Sequence, residues 1–382
     1  MKVAFVHLNR YREIGSTDFF ELSQAVGALL PGSVDVIVAR DGESQAEHAG
    51  PVRIHELPVA TRRVWTRESL LFYRRAAELL CKLRPDAVMV TFDRGAALIP
   101  LIVRRKAGVA APIFIHHICS VSFAANRLRY RLGNFLTRSE SYAFDAVTTI
   151  APEIAAEIYG TGFPRPIRIV PIGVNPDKFF FRPQARQRLR MELPHDDEFL
   201  FVFVSTLSAN KSVDQIVEAF SRAELRGRAR LWIAGDGELK GKIETIIREK
   251  GLDHVKLLGR IGYERVPELL SAADMAVSHM TRDSRSYLQP PIKVLEYLAT
   301  GIPVLASDVP GNRFYLDGCP SALFYEASGV GGLTAGFRSA LDERERLAAT
   351  RQSARAAATS FAWRRIAREM LDWLQGARAP SP

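Results

Sequence analysis

Short apolar runs rich in β-branched residues alternate along this chain with stretches whose apolar positions recur every three or four residues. "KVAFVHL" (residues 2–8), "SVDVIVA" (33–39), "DAVMVTF" (86–92), "PIFIHHI" (112–118), "DAVTTIA" (145–151) and "IRIVPIG" (167–173) read as strands. "DFFELSQAVGALL" (18–30) reads as a helix between the first two. Strands alternating with helices predict right-handed βαβ units around a parallel sheet.

Residues 175–196 are rich in proline and charge and carry no sustained period, so they are expected to link two domains. A second series then begins with the strand "FLFVFVSTL" (199–207) and the helix "SVDQIVEAFSRA" (212–223). It continues through "ARLWIAGDG" (229–237), "ELKGKIETIIREKG" (238–251), "VKLLGRI" (255–261), "RVPELLSAA" (265–273) and "DMAVSH" (274–279) to "QPPIKVLEYLATGIPVLASD" (289–308). In "FAWRRIAREMLDWLQ" (361–375), Phe361, Ile366, Met370, Leu371 and Trp373 form one apolar stripe, which predicts a closing helix. The pattern thus predicts an α/β protein of two Rossmann-like, doubly wound domains facing across a cleft, residues 1–180 and 181–360, with a helix and tail over 361–382. Ligands of open α/β sheets bind beyond the carboxyl ends of the strands, so function is expected in the loops that follow them.

With 382 residues, 47% of them hydrophobic, the chain can bury two cores. Its longest apolar windows, such as "AALIPLIV" (96–103), fall far short of the roughly 18 to 20 residues a membrane span needs. "VAFVHL" runs straight into "NRYRE", without the apolar stretch and cleavage site of a signal peptide, so the expected location is cytoplasmic. Cys81, Cys119 and Cys319 show no metal-ligand spacing and fit reduced thiols. The net charge of +10 is concentrated: residues 61–140 hold 15 Lys/Arg against 5 Asp/Glu. Such a surface implies an anionic partner: nucleic acid, acidic lipid or a phosphorylated substrate.

In "QPPIKVLEYLATG", Pro291 suits a first helical position, since it lacks an N–H that would be unpaired there. The amides of Ile292, Lys293 and Val294 would then be free to meet a phosphate, and a lysine in the first turn opposes the helix dipole unless an anion sits there. Glu296, one turn on, could reach a sugar hydroxyl on that phosphate, and Gly301 would end the helix. The other reading is a solvated i, i+3 pair of Lys293 and Glu296. "GDG" (235–237) permits a tight turn near a ligand but equally suits a purely structural turn. "HDDEF" (195–199) lacks the spacing of a metal-binding DxD.

The ordered segments "STLSANKSVDQIVEAF", "LWIAGDGELKGKIE", "VKLLGRIGYERVPELLSAADMAVSHM" and "PPIKVLEYLATGIPVLASDVPGN" resemble the C-terminal donor-binding domain of the retaining GT-B glycosyltransferases of family 4. "IRIVPIGVNPDKF" is similar to that family's interdomain segment, and the N-terminal half resembles it loosely. The resemblance implies that Lys211 and Lys293 contact the diphosphate of a nucleotide sugar and that Glu296 holds its ribose. It further implies that Arg260 and Ile261 flank the base, that Gly235 and the amide of Ile292 lie near the nucleotide, and that His117 lies near the reacting sugar, with His116 beside it. Alternation along that strand is expected to send one histidine inward and the other outward. Gly15, in "REIGSTD", matches the glycine loop after the first strand. The chain departs from the family pattern where Leu288 replaces the first acid of its E-x7-E motif, Thr206 an arginine, and Ser212 a glycine.

Retaining GT-B enzymes are thought to let the leaving phosphate take the acceptor proton, so neither a metal nor a further cofactor is expected beyond the donor itself. Arginines interleaved with aromatic and aliphatic residues in "RRVWTRESLLFYRRAAELL" and "RLRYRLGNFLTR" suit an anionic membrane surface, and no nucleic-acid motif accompanies them. The expected protein is a metal-independent glycosyltransferase, of hexosyltransferase type, acting on a polysaccharide or lipid-linked saccharide. Two alternatives stay open at this point: a degenerate GT-B subunit that binds or scaffolds a partner transferase, and a GT-B sugar-nucleotide epimerase.

Overall fold

The computed structural model describes all residues except 11–17, 41–47, 59–66, 92–93, 108–110, 122–126, 194–197, 224, 283–284 and 379–382. Gly15 lies outside the described residues. The chain divides into two compact units, residues 1–173 with 363–382, and residues 174–362.

The first unit is built on eight strands: β1 (Val3–Arg10), β2 (Val34–Arg40), β3 (His48–Ala49), β4 (Val52–Pro58), β5 (Ala87–Thr91), β6 (Ile113–Ile118), β7 (Ala146–Thr149) and β8 (Ile167–Ile169). They lie in the order β3-β4-β2-β1-β5-β6-β7-β8, all neighbours parallel except β3 with β4. Successive strand residues point to opposite faces, and here both faces are covered. Val3 and Phe5 pack with Phe19, Leu22 and Val26 of the helix Asp18–Leu29. Ala4 and Val6 pack on the other face with Phe72, Tyr73 and Val103.

The closing helix, Trp363–Arg378, belongs to this unit. Trp363, Ile366, Met370, Leu371 and Leu374 join the core around Phe5 and Phe19. Phe361 is not part of that stripe: it packs beside Tyr315 in the second unit, at 4.9 Å between ring centroids. The chain crosses between the units at Gly173/Val174 on the way out and at Ala362/Trp363 on the return, seven and two residues from the expected 180 and 360. The described part of the expected linker is structured within the second unit. Its helix Pro183–Arg190 is fixed by Arg186, which donates to the carbonyls of Ala272 and Ala273 at 2.9 Å and to Asp274 at 2.6 Å. Charge that reads as linker from the sequence is thus spent on a buried helix C-terminus.

The second unit carries β9 (Phe199–Val204), β10 (Ala229–Ala234), β11 (Val255–Gly259), β12 (Met275–Ser278), β13 (Val304–Ser307) and β14 (Ala322–Tyr325). The order β11-β10-β9-β12-β13-β14, all parallel, runs outward in both directions from β9 and β12. That reversal is the topological switch point, where ligands of such sheets bind. Phe201 and Phe203 face one core and Leu200 and Val202 the other.

Candidate active site

Two loops leave the sheet at the switch point, one after β9 and one after β12. The first runs from Ser205 into a tight turn at Ala209–Lys211 and then into the helix Val213–Arg222. It is braced by the "GDGE" turn after β10. The Leu207 amide donates to the Asp236 carbonyl at 2.9 Å, the Leu239 amide to the Leu207 carbonyl at 2.9 Å, and the Ala209 amide to Glu238 Oε1 at 2.8 Å. Gly235 and Gly237, both at positive φ, let the two backbones meet; a Cβ on Gly237 would stand 2.6 Å from the Leu207 carbonyl oxygen. The glycines of "GDG" therefore make room for protein backbone. Thr206 is exposed at the start of this loop.

Lys211 ends the turn half-buried, and burial holds its ammonium below the ordinary lysine pKa. Ser212 follows at φ 47, ψ 42, in the left-handed region that glycine adopts without cost. A serine thus stands here in a conformation that favours glycine.

The helix Ile292–Ala299 opens the second wall. Pro291 is its N-cap, with φ −80 and ψ 120, one position earlier than expected, because its extended ψ cannot continue the helix. The Val294 amide donates back to the Pro291 carbonyl at 3.0 Å, so it is not available to a ligand; the amides of Ile292 and Lys293 remain beyond intrahelical reach. At the far end Gly301, at φ +78, donates to Leu298 at 2.8 Å and Ile302 to Tyr297 at 3.0 Å, a Schellman closure that leads into β13.

Lys293 is not a solvated residue. Its Nζ is buried without a hydrogen-bond partner among the described residues, 4.3 Å over the ring of Phe203. Burial, and then the nearby Lys211 charge, pull its pKa down to about 7, against the pull of Glu296. Glu296 is also buried, and burial pushes it up to about 7 although Tyr263 and Lys293 oppose the shift. Tyr263 Oη donates to Glu296 Oε1 at 2.7 Å. Behind the helix His279 lies buried after β12, with Nδ1 2.5 Å from Tyr325 Oη and Nε2 3.3 Å from Gln215 Oε1. Burial and the Lys293 charge lower His279 to about 4, so it is neutral at pH 7. Leu288 is buried in the turn before Gln289. Arg260 is exposed after β11, and Ile261 is half-buried against the core.

In the first unit, β6 does place its two histidines on opposite faces, yet both are buried, since helices cover each face. His116 stacks on Phe144 at 4.4 Å with Nδ1 2.8 Å from Ser141 Oγ, and burial lowers it to about 3. His117 sits 2.9 Å from Thr148 Oγ1 and 6.1 Å from the Phe19 ring. His7, on β1, is held at about 4 by burial and by His117. The structure therefore brings Lys211, Lys293 and Glu296 together. It adds Tyr263, Glu238 and His279, which no local motif singled out because each meets its partner across 29 to 46 residues of chain.

Comparison with known proteins agrees with this architecture. Residues 27–173 match the family "Glycosyl transferase 4-like domain" and residues 185–357 match "Glycosyl transferases group 1". An uncharacterized glycosyltransferase of Methanocaldococcus jannaschii is 26% identical over 181 residues, 46% of this chain and 45% of that protein. A GDP-mannose-dependent alpha-(1-6)-phosphatidylinositol monomannoside mannosyltransferase of Mycobacterium tuberculosis is 26% identical over 215 residues, 55% of this chain and 56% of that protein. The chain thus spans about half the length of these curated relatives. Among solved structures, sucrose-phosphate synthase from Thermosynechococcus elongatus superposes over 100% of both chains with a TM-score of 0.77 at 18% identity. Residues 27–173 and 185–357 thus each match a glycosyl transferase family model, and the chain has the GT-B fold.

Proposed function

We propose that the protein is a retaining glycosyltransferase of family 4 type that moves a hexose from a nucleotide diphosphate donor to a polysaccharide or lipid-linked saccharide. The observation that carries this reading is the pair Lys211 and Lys293 at the switch point, with the Lys293 ammonium buried and unpaired among the described residues. A buried cation without a partner is costly, and a diphosphate supplies the missing counter-charge. As the glycosyl–oxygen bond breaks, negative charge grows on the leaving phosphate, where two lysines and the Ile292 and Lys293 amides stabilise it. The acceptor oxygen forms its bond to the anomeric carbon on the same face, and its proton passes to the departing phosphate. The lysines supply the charge that a metal would otherwise bring, so the reading is metal-independent. Glu296 takes the ribose, Arg260 and Ile261 flank the base, and His117 serves the sugar.

The test is thermal unfolding with UDP, GDP, ADP and dTDP, for the protein and for Lys211→Ala and Glu296→Ala. A nucleotide at 100 times its Kd should stabilise by about 2.7 kcal/mol, and both variants should lose the shift. Absence of any shift would favour a subunit that only binds a partner.

For the acceptor side, the helix Arg127–Ser141 is inverted: it buries Gly133, Asn134, Thr137 and Ser141 and exposes Leu128 (75%), Leu132 (52%) and Phe135 (63%) between exposed Arg127, Arg129 and Arg131. An apolar stripe at i, i+4, i+7 flanked by arginine suits an anionic bilayer surface, which supports a cytoplasmic enzyme working at the inner face of a membrane. Among the described residues no helix is long and apolar enough to cross a membrane. The affinity for phosphatidylglycerol vesicles in co-sedimentation should fall about 1,000-fold or more in Leu128→Gln/Leu132→Gln/Phe135→Gln, at roughly 1.5 kcal/mol or more per large side chain withdrawn from the bilayer. Equal binding by the variant would remove the membrane from the proposal.

A further inference from the structure

Glu296 has a partner that neither its helix nor the neighbouring strands supply. Tyr263 stands on the short turn Tyr263–Arg265 that follows β11, 33 residues earlier in the chain, and its hydroxyl reaches Glu296 Oε1 at 2.7 Å. The carboxylate is buried while Tyr263 is 48% exposed, its ring resting edge-on against the buried Phe179 at 5.4 Å between centroids. The tyrosine thus reaches inward from the surface to a carboxylate beside a lysine that has no hydrogen-bond partner among the described residues. An ionised carboxylate can accept about four hydrogen bonds, so beside the phenol Oε2 and a second lone pair of Oε1 have no partner among the described residues. Those acceptors are what the two adjacent hydroxyls of a ribose require, and only a carboxylate held in one plane can meet both.

We propose that Tyr263 is a positioning residue for the donor nucleotide: its hydroxyl fixes the Glu296 carboxylate so that the free acceptors face the ribose cis-diol, and the pair thereby selects ribonucleoside over 2′-deoxyribonucleoside diphosphates. The inference rests on the assignment of Glu296 to the ribose. It places the recognition of the sugar ring under the control of the loop after β11, which the base is expected to touch as well. A base-side contact that moves this loop therefore also moves the ribose acceptor.

Calorimetric titration of the full chain with UDP, GDP and ADP and with their 2′-deoxy counterparts gives a ribo-to-deoxyribo affinity ratio for each pair. Tyr263→Phe keeps the ring against Phe179 and removes only the hydroxyl. For the nucleotide that binds best, it should lower the ratio about tenfold, the worth of one charge-assisted hydrogen bond. Glu296→Gln should bring the ratio close to one. A ratio that Glu296→Gln abolishes and Tyr263→Phe leaves intact overturns the role of Tyr263 and leaves the ribose assignment standing. A wild-type ratio near one for every pair, or no binding at all, overturns both.

Discussion

Replacing Lys293 by methionine should make the protein more stable and at the same time weaken its hold on the donor. Methionine keeps the unbranched stem and the contact with Phe203 but removes a charge that the fold buries without a partner among the described residues. Relief of that burden is worth about 1–3 kcal/mol. Folding depresses the lysine pKa to about 7, so the full cost is borne below pH 7 and fades as the pH rises from there towards the unfolded value of 10.5. The gain in Lys293→Met should therefore be larger at pH 6.5 than at pH 10. Glu296 acts in the opposite sense: with its pKa raised to about 7, its favourable contribution is present below the unfolded value of 4.5 and lost as the pH rises through 7. Near neutrality both groups are at their most costly, and a bound diphosphate relieves the lysine. Wild-type nucleotide affinity should accordingly weaken as the pH rises from 7 to 9, because binding must then supply a proton to Lys293, and the methionine variant should lack that limb. On the rate of glycosyl transfer the loss should be about 100- to 1,000-fold, as for one missing donor at a developing oxyanion. Thermal melts at the two pH values, titration calorimetry and turnover together check the prediction; a destabilised variant that binds nucleotide as tightly as the wild type would sink it.

Alanine at Gly235 should damage the second unit through the Lys211 loop. The added Cβ would overlap the Ser205 carbonyl oxygen and press on Leu207 Cδ2 at 3.3 Å, while φ at this position is +151. Strained backbone and overpacking each cost about 1–3 kcal/mol, so a loss of about 3 kcal/mol is expected, or roughly 6–12 °C in the unfolding midpoint of a unit this size. Nucleotide affinity should fall with it, because Ser205–Leu207 leads directly into the turn that carries Lys211. Gly241, in the helix Lys240–Glu249, meets nothing within 4 Å, and alanine there should stabilise by up to about 1 kcal/mol. Opposite signs at two glycines six residues apart would separate a loss of space from a loss of helix propensity. If Gly235→Ala melts like the wild type, the brace between the two loops is not what holds Lys211.

Much of this architecture was legible in the chain itself. Apolar runs of four to eight residues separated by helical periods determine which segments become strands, because each must bury both faces under helices. The order of strands then follows from short right-handed crossovers, and it brings the loops after β9 and β12 to one switch point. Lys293 and Glu296 could be singled out from their place in the first turns of a helix, and Lys211 from the resemblance of its loop to a family motif. What local pattern could not supply is everything that depends on distant segments meeting. The closing helix is predicted by its stripe but not the unit it closes, which is settled by Trp363 and Ile366 completing the core around Phe5, and the proline- and charge-rich passage before β9 reads as a linker although Arg186 ties it to Asp274. His116 and His117 alternate as a strand demands, but whether a face is open or covered is decided by the helices that pack there. The burial that leaves Lys293 without a hydrogen-bond partner among the described residues, and the tyrosine that reaches Glu296 from 33 residues away, exist only once the sheet has assembled. Periodicity is a local property and survives in the sequence; desolvation and hydrogen-bond partnership are properties of packing, and tertiary structure alone decides them.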